Sequence, residues 1–150
     1  MDLQQKIEKA KEKQQKLALL YLDLDRFKLI NDRFGHHIGD LLLKLVALRL
    51  KNNLRMDDFV ARLAGDEFVV ILNNIYDTKN ALVVAESLVE AIRVPYSLEK
   101  HTITISVSIG IACYPESALD SVTLCKNADT AMYRSKEMGR NTYQFFGQPL

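Results

Sequence analysis

The stretch LALLYLDLD, residues 17–25, decides how the rest of this chain is read. Apolar residues fill it until two acids, Asp23 and Asp25, close it two positions apart. In so short a run periodicity alone does not separate a strand from a piece of buried helix, but the length suits a buried strand. Side chains alternate along a strand, so both carboxylates point to one face.

Upstream, residues 3–16 are rich in Lys, Gln and Glu and carry Leu3, Ile7, Ala10 and Leu17 at helical spacing. They read as a surface helix laying one narrow stripe on the core, with the tail of a coiled-coil linker from an upstream domain as the alternative. Downstream, a glycine-bounded segment at 34–39 leads into an apolar helix over residues 40–54. Two short β-rich runs, 58–63 and 68–72, flank Ala64-Gly65-Asp66-Glu67, a hairpin in which Gly65 supplies the positive φ of a tight turn. A second amphipathic helix covers 78–93 and ends at Pro95. Residues 102–111 alternate Ile and Val with Thr, Ser and Gly, which predicts a strand with one buried and one polar face. A third helix runs over 121–138 and stops at Gly139, and 141–146 makes a last strand. This order predicts an α/β (α+β) domain: a central mixed five-stranded sheet with helices packed around it.

At 150 residues and 48% hydrophobic, the chain makes one ordinary domain with a real core. A formal net charge of +1, with no block of like charge, argues against gripping a nucleic acid backbone but not against binding a single nucleotide. Cys113 and Cys125 have no CxxC partner, so neither a zinc site nor a disulfide framework is expected. The start has no apolar signal-peptide core, and charge breaks the most apolar stretches before they reach membrane-spanning length. A cytoplasmic domain without membrane contact is the expectation.

Asp23 and Asp25 at a strand end, and Asp66 and Glu67 in the hairpin turn, bring carboxylates from two elements towards one sheet edge if the hairpin pairs beside the first strand. Hard oxygen ligands of this kind suit Mg²⁺, which takes one or two carboxylates plus substrate phosphates. Arg26, Phe27 and Lys28 begin a polar loop whose main-chain amides are free to cradle phosphate. Lys136 and Arg140 flank the end of the third helix, either as charges favoured by the helix dipole or as neutralisers of a triphosphate.

Residues 22–40, LDLDRFKLINDRFGHHIGD, resemble the first signature of the GGDEF family of diguanylate cyclases. Arg62 to Phe68, RLAGDEF, resembles the family's name-giving turn, and SIGIA (108–112), ADTAMY (128–133) and KEMGRN (136–141) resemble its later blocks. Five blocks in order over nearly the whole chain are far more specific than one short pattern.

The resemblance implies a nucleotidyl-cyclase, palm-like fold that condenses two GTP into cyclic di-GMP with Mg²⁺ (or Mn²⁺). It implies Asp23, Asp66 and the Leu24 carbonyl as metal ligands, with Glu67 assisting the metal or deprotonating the attacking hydroxyl. It implies Asn31 and Asp40 on the guanine edge, Lys136 and Arg140 on the terminal phosphates, and the amides of Arg26, Phe27 and Lys28 beside them. His36 falls in the same loop, with a role in shaping it equally open. Arg55 and Asp58 resemble the family's inhibitory RxxD pair, which would clamp product, while the second inhibitory arginine of the following helix is absent at Glu86-Ser87. The resemblance also implies an antiparallel homodimer, since each domain holds one GTP. Ala64 replaces the first glycine of the turn, and the family's block upstream of residue 17 is missing. These departures fit a domain cut from a longer protein with sensory or phosphodiesterase domains. Ala64 also supports a rival reading, a weakly catalytic module that binds GTP or cyclic di-GMP and regulates an attached domain, which the intact acids, Asn31, Asp40 and Lys136 oppose. A palm-like enzyme with another base preference is a third, against which Asp40 argues, because a carboxylate accepts from guanine N1–H and N2–H₂.

Overall fold

The computed structural model describes residues 3–147. In chain order the elements are α1 (Leu3–Lys13), β1 (Lys16–Leu24), α2 (Phe27–Phe34), α3 (His36–Asn52), β2 (Phe59–Ala64) and β3 (Glu67–Ile75). They continue with α4 (Thr78–Ile92), β4 (Tyr96–Leu98), β5 (His101–Ile103), β6 (Val107–Tyr114), α5 (Ser121–Glu137) and β7 (Thr142–Phe145). Five strands form one sheet in the order β2-β3-β1-β6-β7, with only the β6–β7 pair parallel. The expected mixed five-stranded sheet is therefore present.

β1 is the middle strand, and its apolar run is explained by burial on both faces. Ala18, Leu20, Leu22 and Leu24 join the cluster with α3 and α4, while Leu17 and Leu19 join Ile7 and Ala10 of α1 and Leu124 and Ala128 of α5. Helices thus cover both sides of the sheet. Two helix starts carry side-chain caps. Asp120 accepts from the Thr123 amide at 2.9 Å, and Asp77 accepts from the Lys79 amide at 3.1 Å while its own amide donates to Asn80 Oδ1.

Three sequence expectations need correction. Arg26, Phe27 and Lys28 are expected to begin a polar loop, whereas residues 27–34 fold as α2. Phe27 is buried and Ile30 and Phe34 pack on the same core, a helical spacing hidden by intervening polar residues. The helix expected over 40–54 begins four residues earlier, at His36, because Gly35 (φ 91°) separates it from α2. The strand expected over 102–111 is two strands. β5 pairs with β4 in a separate hairpin, and β6 enters the main sheet, where every residue from Val107 to Tyr114 is buried. The expected alternation holds over 102–105, where Thr102 and Thr104 are exposed and Ile103 and Ile105 buried, but not in β6. Ser108 is buried because a carboxylate takes its hydroxyl, and Gly110 because α5 lies directly against it.

Candidate functional site

The site is built where β1 ends. Leu17, Leu19 and Tyr21 face the α5 side of the sheet, and Asp23 continues that row beneath the last turn of α5. There Lys136 donates to Asp23 Oδ2, and Asp23 is only 6% exposed. The hairpin turn arrives from the other neighbour. Asp23 is in register with Glu67, and the Leu24 amide donates to the Asp66 carbonyl at 3.1 Å. The expected placement of the Gly65–Asp66 turn beside the Asp23 strand is present.

These groups feel each other. Burial raises the Asp23 carboxyl above the ordinary carboxylate range; the Lys136 ion pair pulls it down, and the nearby Asp66 carboxylate pushes it up again. For Lys136, burial pulls the amine down, but Asp23, with Asp66 and Glu67 beyond it, outweighs burial and holds it above its usual value. Asp23, Asp66, Glu67 and Lys136 thus form one electrostatic unit, with Asp66 and Glu67 half-buried. No group of three or more His, Cys, Asp or Glu side chains poised around one metal position occurs among the described residues. Two crowded carboxylates with one lysine suit a cation that brings further oxygen ligands with it, as Mg²⁺ on a triphosphate does.

Asp25 behaves differently. It is 6% exposed, and its oxygens accept from Ser106 Oγ (2.6 Å), Ser108 Oγ (2.6 Å) and the Asn141 amide (3.0 Å). Both of its oxygens are engaged by protein donors, which the spacing of the two acids did not reveal.

Past Asp25, Arg26 takes a left-handed conformation (φ 56°, ψ 34°) as the N-cap of α2, without a side-chain cap. The amides of Phe27 and Lys28 open the helix, where no intrahelical acceptor exists. The expected amide cradle is therefore a helix N-terminus, which adds a favourable dipole for an anion. Asn31 lies further along α2, with Oδ1 buried and without a partner; a Cβ on Gly39 would stand 1.8 Å from it. Asp40 follows Gly39 on α3 and is exposed at a cleft of about 440 Å³ between α3 and the hairpin, floored by Leu43, Val60 and Phe68. Asn31 and Asp40 are thus brought to neighbouring positions. His36 is exposed on the first turn of α3, whereas His37 bonds Glu99 in the β4–β5 turn at 2.9 Å. Arg140 is half-buried and left-handed (φ 65°), just past α5.

Ala64 ends β2 paired with Glu67, and Gly65 alone carries the positive φ of the turn (53°), as expected. Arg55 and Asp58 lie across the molecule, on the far side of β3. Asp58 accepts from the Arg55 amide (2.9 Å), Nε (3.4 Å) and Nη2 (3.2 Å). Its side chain is 2% exposed against 55% for Arg55. Arg55 also donates to the Asn73 carbonyl and stands at a cleft of about 390 Å³ with Tyr76, Asn80 and Val83. Asp58 aims the arginine and lines the same cleft, with Arg55 the more exposed of the two.

Comparison with known proteins agrees with this geometry. The family model described as "Diguanylate cyclase, GGDEF domain" matches residues 1–142, and the chain belongs to that family. It is 46% identical over 144 residues, 96% of this chain, to the bifunctional diguanylate cyclase/cyclic di-GMP phosphodiesterase MucR of Pseudomonas aeruginosa, of whose length it spans 21%. The crystal structure of the GGDEF domain of TpbB from the same species superposes with a TM-score of 0.94 at 39% identity, covering 98% of this chain and 92% of that one. The GGDEF domain of DgcB from Caulobacter crescentus, solved in complex with cyclic di-GMP, gives 0.86 at 27% identity, covering 95% of this chain and 85% of that one. Both cysteines are free, and no described helix is long and apolar enough to cross a membrane.

Proposed function

We propose that this chain is an active diguanylate cyclase domain, condensing two GTP into cyclic di-GMP and pyrophosphate. The observation that carries the reading is the convergence of Asp23, Asp66, Glu67 and Lys136 on one sheet end beside the free amides of α2. Asp23 and Asp66, with the Leu24 carbonyl, would hold Mg²⁺ or Mn²⁺. Bound there with GTP, the ion neutralises triphosphate charge and acidifies a coordinated hydroxyl. Lys136 and Arg140 bind the terminal phosphates, and the amides of Arg26, Phe27 and Lys28 cradle them. Asn31 and Asp40 hold the guanine. His36 shapes the approach to this pocket. Glu67 takes the proton of the 3′-hydroxyl as that oxygen attacks the α-phosphorus, the new O–P bond forming as the bond to pyrophosphate breaks. One such site holds one GTP, so the reaction needs a second copy facing the first. Arg55, aimed by Asp58, holds cyclic di-GMP in the remote cleft and supplies product feedback.

The relatives are much longer than this chain, so it is read as one GGDEF domain of a multidomain protein working in the cytoplasm. The second reading, a binding module that regulates an attached domain, draws on Ala64 and on the bifunctional relative. Incubating the domain with GTP and Mg²⁺ and identifying the product by mass separates the two. The expected result is cyclic di-GMP from the wild type and none from Asp66→Ala, with both equally folded by circular dichroism. No cyclic di-GMP from a folded wild type sinks the catalytic reading, and equal yields from both proteins remove Asp66 from the mechanism.

A further inference from the structure

We propose that Asp25 is the positioning residue for the cations of this site: its carboxylate clamps the α5–β7 turn and so holds Arg140, and with it Lys136, over Asp23. The inference rests on the reading of Lys136 and Arg140 as phosphate ligands.

The turn it holds is unusual. Gly139, Arg140 and Asn141 are consecutive left-handed residues, with φ of 110°, 65° and 51°. Glycine accepts this readily; Arg and Asn do so at a cost, so two such residues in sequence need external support. On the helix side the support is short: the Arg140 amide donates to the Ser135 carbonyl at 3.0 Å, and Ser135 Oγ donates to the Ile109 carbonyl. On the other side it is Asp25, whose Oδ2 accepts the Asn141 amide at 3.0 Å and Ser106 Oγ at 2.6 Å. Oδ1 is taken by Ser108 Oγ, and the Asp25 amide donates to the Ser106 carbonyl at 2.9 Å. One buried carboxylate therefore ties the end of β1, the entrance of β6 and the residue after Arg140 together. A charged acceptor makes stronger bonds to amides and hydroxyls than a neutral one. Asp25 is two residues from Asp23, so the clamp fixes the distance between the acid that needs a cation and the turn that carries one. It does so without touching substrate.

A double-mutant cycle tests this. Binding of a GTP analogue with a methylene bridge between its α- and β-phosphates is measured by calorimetry with Mg²⁺, so that no turnover intervenes. Arg140→Ala alone is expected to weaken binding about tenfold, the effect of one charge-assisted contact, and Asp25→Ala alone by a similar factor. Combining them should add little further loss, because both remove the same contact. Asn141→Gly, which takes left-handed backbone freely, should restore part of the affinity lost in Asp25→Ala. If the alanine variant does not fold, Asp25→Asn carries the same cycle: it keeps the shape and one acceptor oxygen, and a smaller coupling of the same sign is expected. Losses that simply multiply, or an Asp25 variant that binds like wild type while Arg140→Ala is impaired, overturn the clamp and leave the phosphate reading standing. If Arg140→Ala and Lys136→Ala both bind like wild type, the phosphate reading falls, and the clamp with it.

Discussion

Ala64 and the two aspartates of β1 show what single residues can and cannot disclose. From sequence, Ala64 left open whether the missing glycine had served a left-handed backbone or a close ligand. The backbone alternative is gone, since Ala64 sits at a strand end and Gly65 takes the positive φ. Ala64→Gly is therefore expected to leave the initial rate of cyclic di-GMP formation within about threefold of wild type, and to cost ~0.5–1 kcal/mol of stability in thermal unfolding, the usual cost of glycine in a strand. A wild type at background beside an active Ala64→Gly would mark a disabling methyl. Asp23 and Asp25 were indistinguishable by spacing; only the tertiary partners, Lys136 for one and two serines with an amide for the other, separate them. Asp58 read as a ligand contact; it lines the cleft with Arg55, but its carboxylate is 2% exposed and already accepts from the Arg55 amide and guanidinium. Arg55→Ala should thus weaken cyclic di-GMP binding at least tenfold without lowering the initial rate, as one charge-assisted contact is lost. Asp58→Ala should weaken it too, while also losing about 1–3 kcal/mol of stability from the network it anchors. Equal dissociation constants for the product in wild type and Arg55→Ala would remove the feedback site.

At the level of elements, what the sequence shows clearly is whatever periodicity dictates locally. β1, the β2–β3 hairpin, α4 and α5 are found within a few residues of their expected spans. The failures are places where tertiary contacts overrode pattern. α2 is eight residues of mixed polarity, held by Phe27 in the core with Ile30 and Phe34 packed against it. The β5–β6 break lies between two partners: β5 pairs with β4, whereas Ser106 already continues the β1–β6 pairing by accepting from the Asp25 amide. Gly110 is the sharpest element-level constraint. A Cβ there would lie 2.1 Å from the Ala128 carbonyl oxygen and 2.1 Å from the Met132 amide, both backbone atoms of α5. No rotamer change relieves such a contact, so Gly110→Ala must push α5 off the sheet. Destabilisation of ~3 kcal/mol or more is expected, as for severe overpacking. Chemical denaturation measures it, and a midpoint unchanged from wild type would show that α5 is not seated as closely as described.

On the scale of the whole molecule, the decisive fact is that the acids and lysine of the proposed active site gather at one end of the sheet, once among the described residues. Asp23, Asp66, Glu67, Lys136 and the start of α2 make one such end, proposed to take phosphate, and Asp40 lines one cleft, proposed to take the base. Closing a cyclic dinucleotide takes two attacks on two α-phosphates, so under the proposed chemistry a lone domain supplies half of what is needed. Encounter of two copies then limits the reaction. At concentrations where the free domain is mostly monomeric, the rate per domain should rise in proportion to domain concentration. α1 offers a natural place to change that. It packs on the core through Ile7 and Ala10, and its lysines and glutamates face outward, so a dimerising coiled coil joined ahead of Leu3 leaves the seating of α1 intact. Tethering replaces a micromolar encounter with an effective concentration on the order of millimolar for short linkers. For 1 μM protein that is a gain of about two to three orders of magnitude in rate per domain, with the concentration dependence abolished. Initial rates across a dilution series of free and fused protein provide the measurement. A free domain whose specific rate is flat on dilution to nanomolar concentration, while sedimentation shows it monomeric, would mean that one copy completes the reaction and that the two-half-site mechanism is wrong.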